Sequence, residues 1–297
     1  MKLILRILLS CALSLPLFAG GSRETIPAKG LDTPHYVDSR GAEIPLARYQ
    51  RIVSLGTNLT ETICALGAED RLVGRTTFCN YPESVQSIPS IGTLWSPSIE
   101  TIISLKPDLV VAGSLIDDAV LKSLTRAGLT VCVINHQASF EGTYALITDL
   151  GLLIGEGAKA QELVDTMRRE VSQVVEETRS LPKPRTYLAI SFGEMDSAAT
   201  GDTYLGTMIE MAGGENVARQ ATNWAFSKEQ LVQADPEVIV LMNMNGMTME
   251  ETFDLWCRTS PYKDLHGRVE LIDTDLVSRQ GPRLGEALQQ LERKIHP

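Results

Sequence analysis

The run LMNMNGMTMEE crowds Met242, Met244, Met247 and Met249 into one short stretch. Thioethers this close together can ligate a soft metal such as copper or haem iron, or line an adaptable apolar pocket; filling gaps beside a loop requires neither. Histidine offers less. His35, His136, His266 and His296 are scattered with no two at ligand spacing, whereas a bare zinc or manganese site needs several imidazoles and carboxylates to converge. The chain has no GxSxG elbow, no phosphate loop ending in Gly-Lys-Ser/Thr, no HExxH and no dinucleotide glycine fingerprint. The residues therefore suggest binding rather than bond-making, with no cofactor. Two carboxylates stand out by position. SIETIISLKPDLVVA (98–112) and SKEQLVQADPEVIVL (227–241) align without a gap, pairing Ser98 with Ser227, Glu100 with Glu229, Pro107 with Pro236 and Val111 with Val240. In each, the serine can cap a helix whose first turn holds the glutamate, where the positive helix end favours it.

The elements around these residues alternate. PHYVDSRGAEIPL predicts an extended hairpin turning at Ser39-Arg40-Gly41, and RIVSL a strand. NLTETICALGA then has helical spacing closed by Gly67, and RLVGRT, a helix from Pro97 to Leu105, DLVVAG, DDAVLKSLTRAG and TVCVIN continue the strand-helix alternation of a mostly parallel sheet. From about Gly157 to Leu181, Leu163, Val164, Met167, Val171, Val174 and Val175 mark one face of a long helix that Pro182 and Pro184 stop. Alternation restarts with RTYLAISFG, TYLGTMIEMAGG, the Glu229 helix, EVIVLM, VELID and GEALQQLERKI. The predicted fold is α/β, two Rossmann-like lobes joined by one long α-helix, with the duplicated phrase at equivalent places. The expected parts are a signal peptide at 1–21, an N-terminal lobe at 22–155, the connecting helix at 156–181 and a C-terminal lobe at 182–297.

The 297 residues begin with Lys2, Arg6, the apolar run ILLSCALSLPLFA and the small residues Ala19, Gly20 and Gly21, the layout of a secretory signal cleaved near Gly21. LLSC loosely resembles a lipoprotein processing site at Cys11, the alternative to ordinary cleavage. Removing residues 1–21 takes away two basic residues and no acidic ones, so the formal charge moves from −10 to −12. That balance gives no electrostatic footprint for nucleic acid. Of the remaining cysteines, Cys64 and Cys132 lie in apolar runs and are expected to be buried thiols. Cys79 and Cys257 sit in loop-like sequence, where their pairing stays open.

RIVSLGTNLTETICALGAEDRLVG, CNYPESVQSIPSIG and SIETIISLKPDLVVA, followed by TYLGTMIEMAGGENVA, WAFSKEQLVQADPEVIV and GPRLGEALQQL, resemble the helix-linked substrate-binding proteins of bacterial ABC importers that carry iron–siderophore, haem and cobalamin. The resemblance runs from about Tyr36 to the C-terminus. It implies a periplasmic monomer that captures a metal chelate in a cleft between lobes and hands it to a dimeric membrane permease. One glutamate per lobe would meet arginines of that permease, a role that falls on Glu100 and Glu229. The cleft candidates are Thr57, Asn58, Phe78, Tyr81 and Trp95 from the first lobe, and Phe192, Trp224 and Arg283 from the second. Flat rings suit a macrocycle or aromatic chelate, and Arg283 can clamp a carboxylate or catecholate or brace a helix. For any one ring the alternative is ordinary packing. If the ligand is haem, His136 or Tyr81 is the axial candidate. The mostly neutral, aromatic set ranks a corrinoid ahead of a ferric siderophore, with haem third. The histidine-poor chain departs from relatives that carry bare ions. One stiff connector implies only a small change of lobe angle on loading.

Overall fold

β-Branched and leucine-rich runs too short for helices set the strands, and capped amphipathic segments between them set the helices. The computed structural model describes residues 34–244 and 246–297; the export signal expected at 1–21 lies outside them. The chain opens with a hairpin of β1 (His35–Val37) and β2 (Glu43–Pro45). It continues through β3 (Ile52–Leu55), α1 (Thr57–Ala65), β4 (Leu72–Arg75), α2 (Ile99–Ser104), β5 (Leu109–Ala112), α3 (Asp118–Arg126), β6 (Val131–Val133) and α4 (Phe140–Leu153). After α5 (Gly157–Thr178) come β7 (Arg185–Ser191), β8 (Ser197–Ala198), α6 (Tyr204–Met211), β9 (Glu215–Asn216), α7 (Lys228–Ala234) and β10 (Val238–Met242). The chain closes with α8 (Met249–Arg258), β11 (Arg268–Ile272), α9 (Thr274–Ser278) and α10 (Leu284–Ile295).

The two lobes repeat one topology. The first sheet runs β4-β3-β5-β6, all parallel; the second runs β11-β10-β7-β8, with β9 pairing β7 in parallel and β8 antiparallel to it. Read outward from the first strand of each lobe, β4-β3-β5-β6 matches β9-β7-β10-β11. The duplicated phrase falls on α2–β5 and α7–β10, and its likeness extends to the joints. Ser98 and Ser227 cap their helices through Thr101 N and Gln230 N. Lys106 (φ 48°) and Asp235 (φ 40°) both turn left-handed just before the shared proline, a conformation non-glycine residues seldom adopt. Arg51 reaches Leu105 O at 2.6 Å, and Arg185 reaches Ala234 O at 2.8 Å, so each lobe ties the end of its glutamate helix to the start of its first strand. Asp108 and Glu237 return the contact, accepting the backbone N–H of Arg51 and Arg185 at 2.9 Å.

Strand alternation divides the core. Ile52, Leu109 and Val111 from the first lobe and Leu188, Val238 and Val240 from the second face one continuous apolar cluster that also contains Val164, Met167, Val171 and Val174 of α5. The intervening residues face private clusters, Val53, Leu55 and Val110 beneath α2 and α3, and Tyr187, Ile239 and Leu241 beneath α7 and α8. α5 packs against α4 on one side and α10 on the other. Arg168 forks onto Glu141 at 2.9 and 2.6 Å and covers the Tyr144 ring, while Arg71 holds Ile154 O and the Glu156 carboxylate where α4 meets α5. α5 ends at Thr178 rather than Leu181, consistent with the bias of a residue before proline, here Leu181, against helical backbone. Its length is about 33 Å at 1.5 Å per residue. Among the described residues, no helix is long and apolar enough to cross a membrane.

Candidate functional site

In an open α/β sheet the loops leaving the carboxyl ends of the strands gather at one edge, where ligands bind. All four strands of the first sheet deliver such loops to one cavity of about 520 Å³. Leu55 ends β3 and Gly56–Asn58 follow it, Phe78 follows β4, Gly113–Leu115 follow β5 and Ile134–Ala138 follow β6; from the second lobe, Asp275, Ser278, Arg279 and Gln280 follow β11 and close the wall. The volume is in the range of sites that hold drug-sized ligands. Asn58 Nδ2 crosses to Gln280 O at 3.3 Å, so the two walls touch.

The mouth is aromatic and exposed. Trp95 is 70% and Phe78 47% exposed, and their rings meet edge to face with centroids 5.7 Å apart. Trp95 caps a narrow loop whose base is closed by Ser98 N to Ile91 O at 2.7 Å. Gly92 (φ +96°) makes that closure possible, since a Cβ there would lie 2.7 Å from Ser96 O. A large ring left mostly in solvent, touching another ring only at its edge, offers a surface for a flat ligand.

The lining is polar but internally neutralised. His136 Nε2 lies 2.8 Å from Asp149 Oδ2, which also accepts the Tyr36 hydroxyl at 3.0 Å. Burial, and then the Asp149 carboxylate, push the Tyr36 phenol well above its ordinary range. A carboxylate only accepts, so Nε2 is the donor in this contact; in the neutral tautomer that makes it, Nδ1 carries the lone pair. Arg279 donates to Glu61 Oε1 at 2.8 Å and meets Asp275 Oδ2 at 2.7 Å. Every charged side chain lining the cavity thus has an opposite partner among the described residues. What remains free to meet a ligand is largely hydroxyl and carboxamide, from Thr57, Ser114, Asn135, Gln137 and Gln280.

Of the eight cleft candidates, Thr57, Asn58, Phe78 and Trp95 line the cavity. The other four cleft candidates do not. Tyr81 lies under the Arg283 guanidinium, 3.9 Å from its ring centre. Arg283 is not a free clamp: it forks onto Glu61 with Nε and Nη2 each at 2.9 Å. Burial opposes the charge on Arg283, but its hydrogen bonds to Glu61 together with the charges of Glu61, Tyr81 and Glu286 outweigh it and raise the pKa. Phe192 is corrected to a core residue, 3% exposed and packed edge-on against Trp256 and Tyr262 at 4.9 and 5.4 Å. Trp224 is 40% exposed in a left-handed turn, with its N–H on Thr200 Oγ1, outside the cavity lining. The methionines spread out: Met242 is buried, Met244 half-buried, and Met247 and Met249 exposed. Among the described residues, no cluster of three or more histidines, cysteines and acids could hold a metal ion. Cys79 is a buried free thiol and Cys257 an exposed one in the last turn of α8, so these two do not pair; Cys132 is buried and Cys64 half-buried.

Glu100 and Glu229 both stand exposed in the first turns of α2 and α7. The backbone N–H of Glu229, and then the Ser227 hydroxyl, hold its carboxyl below the ordinary range. The sequence reading missed Gly113–Leu115, Asn135 and Gln137, which strand-end position alone would have found. It also missed Glu61, Asp275 and Arg279, for which the sequence carried no signal.

The family described as "Periplasmic binding protein" matches residues 52–255. The Bacillus subtilis (strain 168) protein named "Uncharacterized ABC transporter substrate-binding lipoprotein YvrC" is 34% identical over 257 residues, covering 84% of this chain and 80% of that one. A "Cobalamin-binding protein" of Halobacterium salinarum is 26% identical over 262 residues, covering 83% and 69%. Among solved structures, a periplasmic heme binding protein from Pseudomonas aeruginosa superposes with TM-score 0.75 at 25% identity, over 84% of this chain and 93% of that one. With two repeated lobes, one joining helix and a cavity at the strand ends, the chain belongs to the periplasmic binding protein family.

Proposed function

We propose that this protein is the exported substrate-binding component of an ABC importer and captures an uncharged metal chelate of the corrinoid class. The observation that carries the ligand class is that, among the described residues, Arg279 and Asp275 in the cavity lining are matched to each other and Arg279 also to Glu61. A corrin presents a broad apolar face and a rim of neutral carboxamides, which suit Trp95 and Phe78 at the mouth and the amides of Asn135, Gln137 and Gln280 within. Catecholate and carboxylate siderophores, and haem, bring anionic groups that would need a free guanidinium. The Halobacterium relative named for cobalamin supports the same class. Glu100 and Glu229 are the permease-docking carboxylates in this reading, and the chain makes or breaks no bond. Residues 1–21 carry the export signal, with cleavage near Gly21; the lipoprotein name of the Bacillus relative keeps Cys11 as the alternative anchor.

Haem is the second reading, favoured by one feature: His136, oriented by Asp149, keeps a lone pair on Nδ1. Tryptophan fluorescence separates the two. Titrating the protein from Ser22 onward with cyanocobalamin is expected to give saturable quenching of Trp95 at submicromolar ligand, with haemin and a ferric tris-catecholate at least about tenfold weaker. Tight quenching by haemin with none by cyanocobalamin would transfer the assignment to haem.

A further inference from the structure

Glu61 belongs to α1 of the first lobe, and its side chain is 2% exposed. Both of its partners come from the second lobe, Arg279 after α9 and Arg283 at the start of α10. One buried carboxylate therefore answers two guanidiniums, and Asp275 supplies the second negative charge through Arg279. Asn80 completes the joint, accepting from Arg279 at 2.7 Å and donating to Asp275 at 2.8 Å. Two acids and two bases cancel, and the pair Asp275–Arg279 forms part of the cavity wall. Bracing two lobes would need only one ion pair placed anywhere along their contact. Here the joint sits on the ligand cavity and consumes the two arginines of this segment.

We infer that Glu61 is a specificity-determining residue: by neutralising Arg279 and Arg283 it closes the cavity to anionic chelates and leaves it open to uncharged ones. This rests on the reading of the cleft as a chelate site. A ligand carboxylate or catecholate entering the cavity must shed its water, and it regains nothing if every nearby guanidinium is already matched. Removing one acid leaves a net positive charge beside Arg279, in a partly desolvated wall where such a charge attracts strongly.

The test titrates wild type, Glu61→Gln and Asp275→Asn with cyanocobalamin, haemin and a ferric tris-catecholate. Glu61→Gln is expected to bind the two anionic chelates about tenfold or more tightly than wild type, and the gain should fall as salt rises. Asp275 is about half exposed, with 47% of its side chain accessible. Asp275→Asn should therefore fold whatever becomes of Glu61→Gln, and it should move the same way by a smaller factor. A merely structural brace would weaken all three ligands together and show no salt-sensitive gain. If neither folded variant gains affinity for an anionic chelate, or if wild type already binds one tightly, the inference is overturned. Failure of wild type to bind cyanocobalamin, with the anionic gain still present in the variants, would instead overturn the corrinoid assignment alone.

Discussion

With Glu100→Lys and Glu229→Lys combined, uptake of cyanocobalamin by cells is expected to fall about a hundredfold or more, while the Kd of the purified protein should change by less than about twofold. The two carboxylates are exposed and sit at matching positions on the two lobes. Their helices are capped by Ser98 and Ser227 and tied down at the other end by Arg51 and Arg185. If they dock on the permease as proposed, each would reach it without loop ordering, and reversal would replace attraction by repulsion at both contacts. Neither residue lines the cavity, so affinity has no reason to change. A lysine in the first turn of a helix costs less than about 1 kcal/mol, so both helices should persist and the melting temperature should stay close to that of wild type. Retained uptake would place docking elsewhere, and loss of affinity together with uptake would refute the separation of docking from binding.

Trp95→Ala is expected to weaken chelate binding by about thirty- to a hundredfold, the 2–3 kcal/mol of a central aromatic contact. Its loop closes through backbone bonds and the turn at Gly92, and the ring itself is mostly in solvent. Thermal stability should therefore move little. Phe192→Ala should do the reverse, costing about 3–5 kcal/mol of stability because it opens a hole against Trp256 and Tyr262. Calorimetric titration and melting of both variants separate the two roles. Unchanged affinity in Trp95→Ala would remove the cleft mouth from the binding surface.

That contrast shows where sequence was informative. Trp95 lies next to a helix whose cap and glutamate are both local signals, so its loop could be placed from a few neighbouring residues. The burial of Phe192 depends on Trp256 and Tyr262, far along the chain on α8 and the turn after it, and α8 itself was hidden behind the methionine run that looked like a loop. α4 went unread for a similar reason: its buried face includes Thr143, Tyr144 and Gly151 among leucines, so its apolar stripe is not set off by charge. The duplicated lobes were legible because Ser98/Ser227 and Pro107/Pro236 recur in fixed register, although the anchoring role of Arg51 and Arg185 was not. Arg283 was noticed for its charge, but only the fold brings Glu61 to it across 222 positions. Long-range ion pairs leave no mark in local spacing, and that is why Arg283, with Tyr81 beneath it, lies outside the cavity lining.

The apolar cluster passes without a break from the first sheet through α5 into the second, so the two lobes are expected to unfold together. Neither sheet can lose its inner face without stripping the helix from the other, so melting should proceed as one cooperative transition despite two topological units. Calorimetry of the apo protein should show a single endotherm whose van't Hoff and calorimetric enthalpies agree. Two resolved peaks would mean that the helix does not couple the lobes. In a compartment with proteases, the coupling means that a ligand held at the cleft protects the whole chain, to the extent of RT ln(1 + [L]/Kd). Loaded protein would then outlast empty protein, and its abundance would itself follow the supply of the chelate.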